Sequence, residues 1–581
     1  MVTFEGNDSI ITTGGDAVGK RFSSATFSGT CEIIGNIYFE HELYINTSGV
    51  ITLGGDLTHD AESTYDFTFY KGTLDIGDYA FDWAGGGNII FGNLGASNQT
   101  ATIESVPDGS FETEGFILTA SLVDTYSQTV DLTGFYGHIE ADEGFIILGI
   151  GTIGIAYSQA LGLGSDGFEG YCDINFADEN NGMSILLGAN STLSGLPAYE
   201  TSVYIEACGT SEESHTITAN YSEWTIEGDW YNDGTFTPGT SSSIIFNGDT
   251  EITTSSDVFF CDVVINEGAS LTSYSGSVIG LYGDWTNNGT FIHNDGAVGF
   301  GASGDQNITT GIFINGEEVY ENLFYSVVFM NADGTIYVTD IFAAESMVVL
   351  YADTIIDLSS ANNVFYTAGV VSSTDGAYSL SINAGSGTIT VDILGGGDNS
   401  LNDVILSAEN VVVDTTNIEG NFEIAINADQ SSISGTLYVD GNFTLSGEGT
   451  LDMSDSGLVD DPNEIGGNFT IESGIIISGA AYFEIGGNWV NNGTFDAGTS
   501  TITLTGGDQS ISGDTTFYNL EKDVSLDAAR TLTFEATSTF VVEGNLVFSG
   551  ASGNVLSLRS SVTGERWYID VQDATPTCTY L

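Results

Sequence analysis

The sequence feature that most constrains this chain is a short motif that occurs three times, at residues 228–236, 283–291 and 487–495. Each copy begins with Gly, then Asn or Asp, then Trp, and each ends with Gly-Thr-Phe. Asn-Asn or Asn-Asp precedes the second Gly of each copy, a composition typical of a tight turn with positive φ between two strands. A motif that recurs within one chain predicts a repeat architecture in which each copy marks one structural unit.

The Gly-Asn or Gly-Asp pair that opens the motif also occurs without Trp. It stands before Leu57, Phe422, Phe443, Phe469 and Leu546. Counted from Asn421, the next three such Asn residues follow after 21, 26 and 20 positions. This spacing predicts rungs of roughly 20 to 26 residues that share the same corner.

The residue types outside the motif favour strands and turns over helices. Gly is abundant (76 residues) and Pro is scarce (5 residues), while Thr, Ser, Asn, Ile, Val and aromatic residues are frequent. Residues 378–382 and 388–393 alternate apolar and polar side chains, which is the period of a strand with one buried face. A β-sandwich domain needs about 100 residues, whereas the observed period suits one turn of a parallel β-helix.

We therefore predict an all-β chain that folds as an elongated parallel β-helix, or β-solenoid, with rungs of roughly 20–26 residues. Residues 1–227 are predicted to form an N-terminal β region with weak repeats. Residues 228–415 then form solenoid repeats with insertions, and residues 416–581 form solenoid repeats and a C-terminal module. The handedness of the coil is open at this point.

The same patterns predict where the motif residues lie. Trp489 should pack inside a rung, while Asn491 and Asn492 turn at its surface. Asn and Thr at equivalent corners can form hydrogen-bonded ladders from rung to rung, and aromatic and aliphatic side chains can stack inside.

The formal net charge of −73 reflects missing basic residues more than an excess of acids. The basic residues are Lys20, Arg21, Lys71, Lys522, Arg530, Arg559 and Arg566. Nucleic acids and anionic membrane surfaces are bound through Lys and Arg, so we expect neither as a partner. The apolar run 145–155 is too short for a membrane span, so we expect no membrane insertion. Such an acidic surface is typical of proteins outside the cell; a salt-adapted cytosolic protein is the alternative.

The cysteines are widely separated and odd in number. They are Cys31, Cys172, Cys208, Cys261 and Cys578, and none has the spacing of a metal site. We expect most of them to be small buried hydrophobic residues. For Cys172 and Cys208 a disulfide is the alternative.

One acidic cluster is a candidate calcium site in a predicted loop around Gly457 and Pro462. Its members are Asp452, Asp455, Asp460, Asp461 and Glu464. Carboxylate oxygens this close in sequence could hold Ca²⁺, although the spacing matches neither an EF-hand nor the nonapeptide repeat of calcium β-rolls. The alternative is a solvated acidic loop.

The chain lacks a recognisable catalytic pattern, and we predict that it is not an enzyme. Its histidines are scattered, and each is expected to be solvated on a strand surface: His41, His59, His138, His215 and His293. Parallel β-helices often act on polysaccharides, but a pectate-lyase type needs Lys or Arg near a Ca²⁺ cluster, and residues 72–521 contain neither. A glycosidase with two carboxylates stays open, because Asp and Glu are everywhere and no pair stands out.

Glycans are possible partners in two ways. Asn-x-Ser/Thr sequons occur at Asn7, Asn46, Asn98, Asn190, Asn220, Asn288, Asn307, Asn442, Asn468 and Asn492. Those at Asn288 and Asn492 lie in the repeated turn, where we expect exposure and glycan attachment if the source carries the machinery. Exposed aromatic residues such as Tyr231 and Tyr282 could also bind carbohydrate.

The extended motif resembles the repeats of large secreted bacterial and archaeal surface proteins. The resemblance rests on Gly-[Asn/Asp]-Trp-x-Asn-[Asn/Asp]-Gly-Thr-Phe followed by a Gly-Asp-Gln-x-Ile strand at residues 507–511, and it covers about 228–330 and 420–570. These proteins are β-solenoid adhesins, sheath proteins and filament proteins. No motif residue is catalytic, so the resemblance implies architecture and a cell-surface location more than an activity.

The leading hypothesis is a structural extracellular protein that self-assembles into a cell-surface filament, sheath or layer. All basic residues lie in the first 71 or the last 60 positions, so the chain ends could dock on the acidic surface of a neighbouring copy. Terminal rungs that simply differ in composition are the alternative explanation. An adhesin or carbohydrate-binding stalk is the second hypothesis, and a polysaccharide-active β-helix enzyme is the third.

Overall fold

The structure is a computed structural model of the chain. It describes residues 2–5, 9–12, 22–59, 65–83, 89–92 and 99–105, the backbone of the strands alone between 106 and 226, and residues 229–581 apart from 233–234, 239–241, 255, 315–319, 332–333, 361–363, 375–377, 397–398, 527 and 573–575. All regular elements in these ranges are β-strands, which confirms the all-β prediction. The chain divides into two compact units, Met1–Gly296 and Ala297–Leu581. The three-part division at 227 and 415 stays a prediction.

The strands of unit 1 stack in parallel along several ladders. The first ladder contains Val2–Phe4, Ala25–Phe27, Leu43–Gly54, Phe67–Gly77, Ile89–Gly92, Phe116–Thr119, Phe145–Leu148, Ser184–Leu186, Thr216–Thr218 and Thr235–Thr237. The second contains Ser9–Thr12, Cys31–Ile34, Gln99–Ser105, Gln128–Asp131, Gly151–Ile155, Thr192–Gly195, Glu223–Ile226, Ser243–Phe246, Asp262–Ile265 and Trp285–Asn287, and the long strands Leu43–Gly54 and Phe67–Gly77 also join it.

The remaining strands of unit 1 form two sheets of six strands and one further parallel pair. They are Ile37–Phe39, Leu57–His59, Ala80–Trp83, Ser110–Thr113, His138–Ala141 and Ile174–Asn175; Leu161–Leu163, Val203–Ile205, Trp230–Asn232, Asp249–Thr254, Ser270–Thr272 and Thr290–Ile292; and Val258–Phe260 with Val278–Leu281.

Unit 2 is a coil with three parallel faces. The first face contains Gln306–Thr309, Thr335–Val338, Thr354–Asp357, Leu380–Asn383, Val404–Ala408, Phe422–Ile426, Phe443–Gly447, Phe469–Ile471, Trp489–Asn491, Gln509–Ser512, Arg530–Phe534 and Leu556–Ser560. The second contains Ser431–Ile433, Thr450–Asp452, Ile475–Ile477, Thr494–Asp496, Thr515–Phe517, Thr539–Val542 and Tyr568–Val571. The third contains Leu437–Val439, Asn463–Ile465, Tyr482–Ile485, Thr501–Leu504, Asn519–Asp523, Leu546–Ser549 and Thr577–Thr579.

Before residue 419 the second and third faces of unit 2 are spanned by single strands. These are Phe324–Phe329, Phe342–Leu350, Phe365–Ser373, Thr388–Leu394 and Asn410–Ile418. The shorter strand Ala297–Phe300 comes before them and pairs with residues 326–329. A short antiparallel pair, Phe313–Ile314 with Tyr320–Glu321, lies in unit 2 within the region predicted to carry insertions.

The rung length confirms the β-solenoid prediction. On the first face of unit 2, residues paired across neighbouring rungs differ by as few as 18 positions (Ile405 and Glu423) and as many as 30 (Gln306 and Ile336). In unit 1 the difference reaches 42 positions, between Leu161 and Val203. The typical rung is about 22 residues, and the N-terminal region is the less regular one, as the weak repeats before residue 228 predict.

The core lies inside the coil because side chains alternate along each strand. In the strand Phe422–Ile426 the first, third and fifth residues are buried, while Glu423 faces solvent. Four tryptophans, Trp83, Trp230, Trp285 and Trp489, are fully buried, which confirms the inward position of Trp489. Asn491, predicted at the surface, is also buried, because the turn begins only at the exposed Asn492.

The prediction of positive φ in the motif turn is wrong. Neither Asn288 and Gly289 nor Asn492 and Gly493 has positive φ, and the third copy of the turn lies outside the described residues. The glycine is needed for a different reason, which is the closeness of the preceding rung. A Cβ on Gly493 would lie 2.6 Å from the carbonyl oxygen of Gly474.

This contact gives a direct test of the fold. Gly493→Ala should destabilise unit 2 by about 1–3 kcal/mol, since the backbone of the rung below must move. A lower urea midpoint, followed by circular dichroism, would measure it. Gly304→Ala is the matched control, because its added Cβ meets no atom within 4 Å and its φ is not positive; its midpoint should stay unchanged or rise slightly. Equal losses in both variants would contradict the contact.

Candidate functional site

An asparagine ladder runs along the corner that precedes the first face of unit 2. The backbone N–H of Asn442 donates to Asn421 Oδ1 at 3.0 Å, and Asn442 Nδ2 donates to the same oxygen at 2.8 Å. The N–H of Asn468 donates to Asn442 Oδ1 at 2.8 Å. Asn488 repeats the double contact with Asn468 Oδ1, at 2.8 and 3.0 Å. These are the Asn residues of the Gly-Asn marker, so the predicted ladder is confirmed.

The ladder continues beyond these asparagines, to the carboxylate of Asp403 at one end and to the backbone N–H of Ser510 at the other. Asp403 Oδ1 accepts the N–H of Asn421 at 2.7 Å, and Asn488 Oδ1 accepts the N–H of Ser510 at 2.7 Å. Each side chain thus satisfies a corner N–H on the next rung that the strand ladder leaves without a partner. A hydrogen bond of this kind contributes about 0.5–1.5 kcal/mol net, and its repetition holds the rungs in register.

Aromatic rings stack directly behind this ladder. Phe443 lies over Phe469 with centroids 5.1 Å apart, and Phe469 lies over Trp489 at 4.9 Å with planes 7° apart. Within the motif the Trp edge meets the terminal Phe across the corner, at 4.9 Å for Trp489 and Phe495. The two other copies have the same T-shaped pair, at 5.2 Å and 5.0 Å. The spacing of Trp and Phe in the motif is therefore a packing requirement.

A buried polar group that the sequence analysis did not predict contacts the backbone just before Trp489. Gln509 of the Gly-Asp-Gln-x-Ile strand donates from Nε2 to Ile485 O at 2.9 Å and to Gly487 O. Lys522 is fully buried and donates to Gly506 O at 2.9 Å and to Gln509 Oε1. Lys522 lies two residues after Leu520 in the same strand and therefore shares its inward face. This alternation could have predicted the burial of Lys522 from the sequence. Carbonyl oxygens here solvate an ammonium group that burial would otherwise penalise.

The predicted calcium residues lie around one loop of unit 2, and most are exposed. Asp452 Oδ1 accepts the N–H of Ser454 at 2.9 Å, and Glu464 lies on the outer face of the strand Asn463–Ile465. Asp455 and Asp460 are exposed without a side-chain hydrogen bond in the structure. Within the described ranges no group of three or more His, Cys, Asp and Glu residues has the arrangement of a metal site. The calcium prediction therefore rests on the sequence alone.

Asp461 is engaged with the rung before it. Thr436 Oγ1 donates to Asp461 Oδ2 at 2.8 Å, and the Tyr438 hydroxyl donates to Asp461 Oδ1. The hydrogen bond to Asp461, with partial burial, raises the pKa of Tyr438 to about 12. The same hydrogen bond and the one from Thr436 lower the pKa of Asp461. Both carboxylate oxygens of Asp461 therefore accept hydrogen bonds from the preceding rung.

The histidines and cysteines fall into buried and exposed groups. His59 is buried and stacked on Trp83 with centroids 4.1 Å apart, so the expectation of a solvated side chain is wrong there. Cys31 and Cys261 are buried free thiols, as expected, and burial raises the pKa of each to about 11. Cys578 is a free, exposed thiol. Cys172 and Cys208 lie outside the described residues.

The structure also separates the sequons. Asn288 and Asn492 are exposed at the motif corner, as predicted. Asn442 and Asn468 use their side-chain oxygens as acceptors in the ladder, and a glycan attached at Nδ2 would leave these acceptors in place.

The ladder predicts an unequal cost for two asparagines. Asn468→Ala removes the acceptor for both Asn488 donors and should destabilise unit 2 by about 1–3 kcal/mol. Asn492→Ala, at an exposed corner outside the ladder, should change the urea midpoint little. Comparison of the two midpoints, in protein from a host without N-glycosylation, measures the difference. If the two variants are equally stable, the ladder does not contribute to cohesion.

The Tyr438–Asp461 pair predicts a pH-dependent contribution. Because the pKa of Asp461 is lower in the folded chain, the hydrogen bond stabilises above the unfolded pKa and is lost as pH falls through the folded pKa. Tyr438→Phe should therefore raise the pKa of Asp461 and lower the urea midpoint at neutral pH but not in strong acid. A carboxyl NMR titration checks the first effect. Tyr482→Phe is the control, and an Asp461 pKa that does not move in Tyr438→Phe would contradict the assignment.

The described residues contain no helix long and apolar enough to cross a membrane. No family model, no curated protein and no solved structure matches the chain.

Proposed function

We propose that the protein is a structural extracellular protein, a self-assembling subunit of a cell-surface filament, sheath or layer. The observation that carries this proposal is that the hydrogen-bonded polar groups described above connect one rung to the next. The asparagine ladder, the Gln509–Lys522 group and the Asp461 contacts all belong to this category. A coil of this kind is a building element whose usefulness comes from stacking.

The ends of the described chain support assembly by further stacking. Ile569 pairs with the fully buried Phe540 of the preceding rung, yet it is itself only half-buried. Cys578 pairs with the buried Phe548 and is exposed. At the other end Val2 pairs with the buried Ala25 and is 44% exposed. A rung supplied by another copy would cover these inward positions.

Charge supports an assembly that responds to salt. Arg559 and Arg566 are exposed near the C-terminal rung, whereas residues 72–521 of a neighbouring copy carry no positive charge. Contact between the ends and this acidic surface is attractive, but a net charge of −73 makes copies repel one another at low ionic strength. Salt or divalent cations should therefore promote the assembly.

Electron microscopy of the purified chain over a series of salt and Ca²⁺ concentrations tests the proposal. We expect filaments or sheets at moderate salt and dispersed particles at low salt. A bulky maleimide adduct on Cys578, in a Cys172→Ser, Cys208→Ser background, should block end-to-end growth. The same adduct on Asn492→Cys, at a corner within the coil and with Cys578→Ser added to that background, should not. Dispersed particles under all conditions would refute assembly, and filaments that form despite the Cys578 adduct would refute the end contact.

An adhesin or carbohydrate-binding stalk is the second proposal, and the exposed Tyr282 favours it; the side chain of Tyr231 lies outside the described residues. A polysaccharide-active enzyme is the third. Release of reducing sugars or unsaturated products from a glycan panel would establish such an activity.

A further inference from the structure

Unit 1 carries a pair of aromatic side chains on its outer surface that the core does not require. Phe259 and Tyr282 stack with centroids 5.7 Å apart and planes 13° apart. Their neighbours Phe260 and Leu281 point inward and are fully buried, so the core at these rungs is already filled. Tyr282 is 48% exposed and Phe259 is half-buried.

The pair sits on a glycine that has no other evident role. Gly280 is the residue opposite Phe259 on the next strand, and a Cβ there would lie 2.4 Å from Cδ1 of the Phe259 ring. The ring of Phe259 therefore lies down over the neighbouring strand and meets Tyr282. Any other residue at this position would push the ring away from the sheet. Gly280 has no positive φ, so ring placement explains the glycine better than backbone conformation does.

The backbone holds the Tyr282 corner in place. The N–H of Tyr282 donates to Phe260 O at 2.9 Å, and the N–H of Gly283 donates to Cys261 O at 3.0 Å. A large side chain with two χ angles on a fixed backbone loses little freedom when a ligand covers it. The ring pair is thus a preformed apolar surface.

The surroundings supply hydrogen-bond acceptors and exclude negative ligands. Asp257 precedes the strand Val258–Phe260, and Asp262 begins the strand Asp262–Ile265. Oδ1 of each accepts a backbone N–H of the next rung, at 2.9 and 2.8 Å. Each has a second oxygen that can accept a hydroxyl. Because residues 72–521 contain no Lys or Arg, nothing nearby compensates a carboxylate or sulfate on a ligand.

We propose that Phe259 and Tyr282 form a binding platform for neutral glycans. A pyranose ring offers an apolar face of C–H groups that can pack on an aromatic ring. The hydroxyls at its edge can donate hydrogen bonds to the carboxylates of Asp257 and Asp262. Uronic-acid and sulfated polymers should be rejected by the acidic surroundings. The platform does not depend on self-assembly and would operate equally in a single copy.

Affinity electrophoresis of the full chain through gels that contain a soluble polysaccharide tests the platform. The neutral probes are hydroxyethyl cellulose and galactomannan, and polygalacturonate is the anionic probe. We expect retardation by at least one neutral probe at high salt and none by polygalacturonate. Tyr282→Ala and Phe259→Ala should weaken the retarding interaction about tenfold, equivalent to 1.4 kcal/mol. Gly280→Ala should weaken it by displacing Phe259.

Tyr274→Ala is the matched control. Tyr274 is 42% exposed in the same unit, and its ring stacks on no aromatic ring among the described residues. It should migrate as the parent protein does. Circular dichroism of all variants shows whether the fold is kept. The proposal would be overturned if neither neutral probe retards the parent chain, or if Tyr274→Ala loses as much affinity as Tyr282→Ala.

Discussion

The closeness of successive rungs is the constraint on which the rest of this structure depends. Parallel strands in neighbouring rungs lie about 4.8 Å apart, and at the corners the backbones approach without an intervening strand ladder. Gly487 shows the consequence, since a Cβ there would lie 2.3 Å from the carbonyl carbon of Gly467. The next residue, Asn488, supplies from its side chain the hydrogen bond that the corner backbone lacks. The Gly-Asn pair is therefore explained by contact between rungs: the glycine allows the close approach, and the asparagine supplies the hydrogen bond.

This explains which parts of the fold could be predicted from the sequence. The period of the marker gives the rung length, and a Trp that recurs beside it must pack inside, because both follow from a contact repeated in every rung. The φ of Gly493 could not be deduced in this way. In a sequence, a glycine required for positive φ cannot be told from a glycine required for close contact with the neighbouring rung. Gly493 is of the second kind. Asn491 shows the same ambiguity, since its polar side chain faces inward to Thr515 at 3.0 Å.

Individual departures from the repeat are harder to predict than the repeat itself. His59 replaces an apolar residue in a column of rings, and stacking on Trp83 makes its burial tolerable. Lys522 is buried because Gln509 and two backbone carbonyls lie within reach, and those partners belong to other strands of the coil. The acidic loop is the opposite case. Its carboxylates are close in sequence, but Asp461 turns to Tyr438 and Thr436, which the order of residues does not show.

Function is therefore best sought where the stacking rules do not apply. Inward residues, corner glycines and ladder asparagines are all determined by the coil, and they carry little information about partners. An outward carboxylate is equally uninformative here, because 80 residues are Asp or Glu. An outward aromatic pair seated on a glycine is different, since neither the core nor solubility explains it. Inward positions that meet solvent, such as Cys578, are different as well, because the packing of the coil does not explain them. We propose binding for the first kind of surface and assembly for the second.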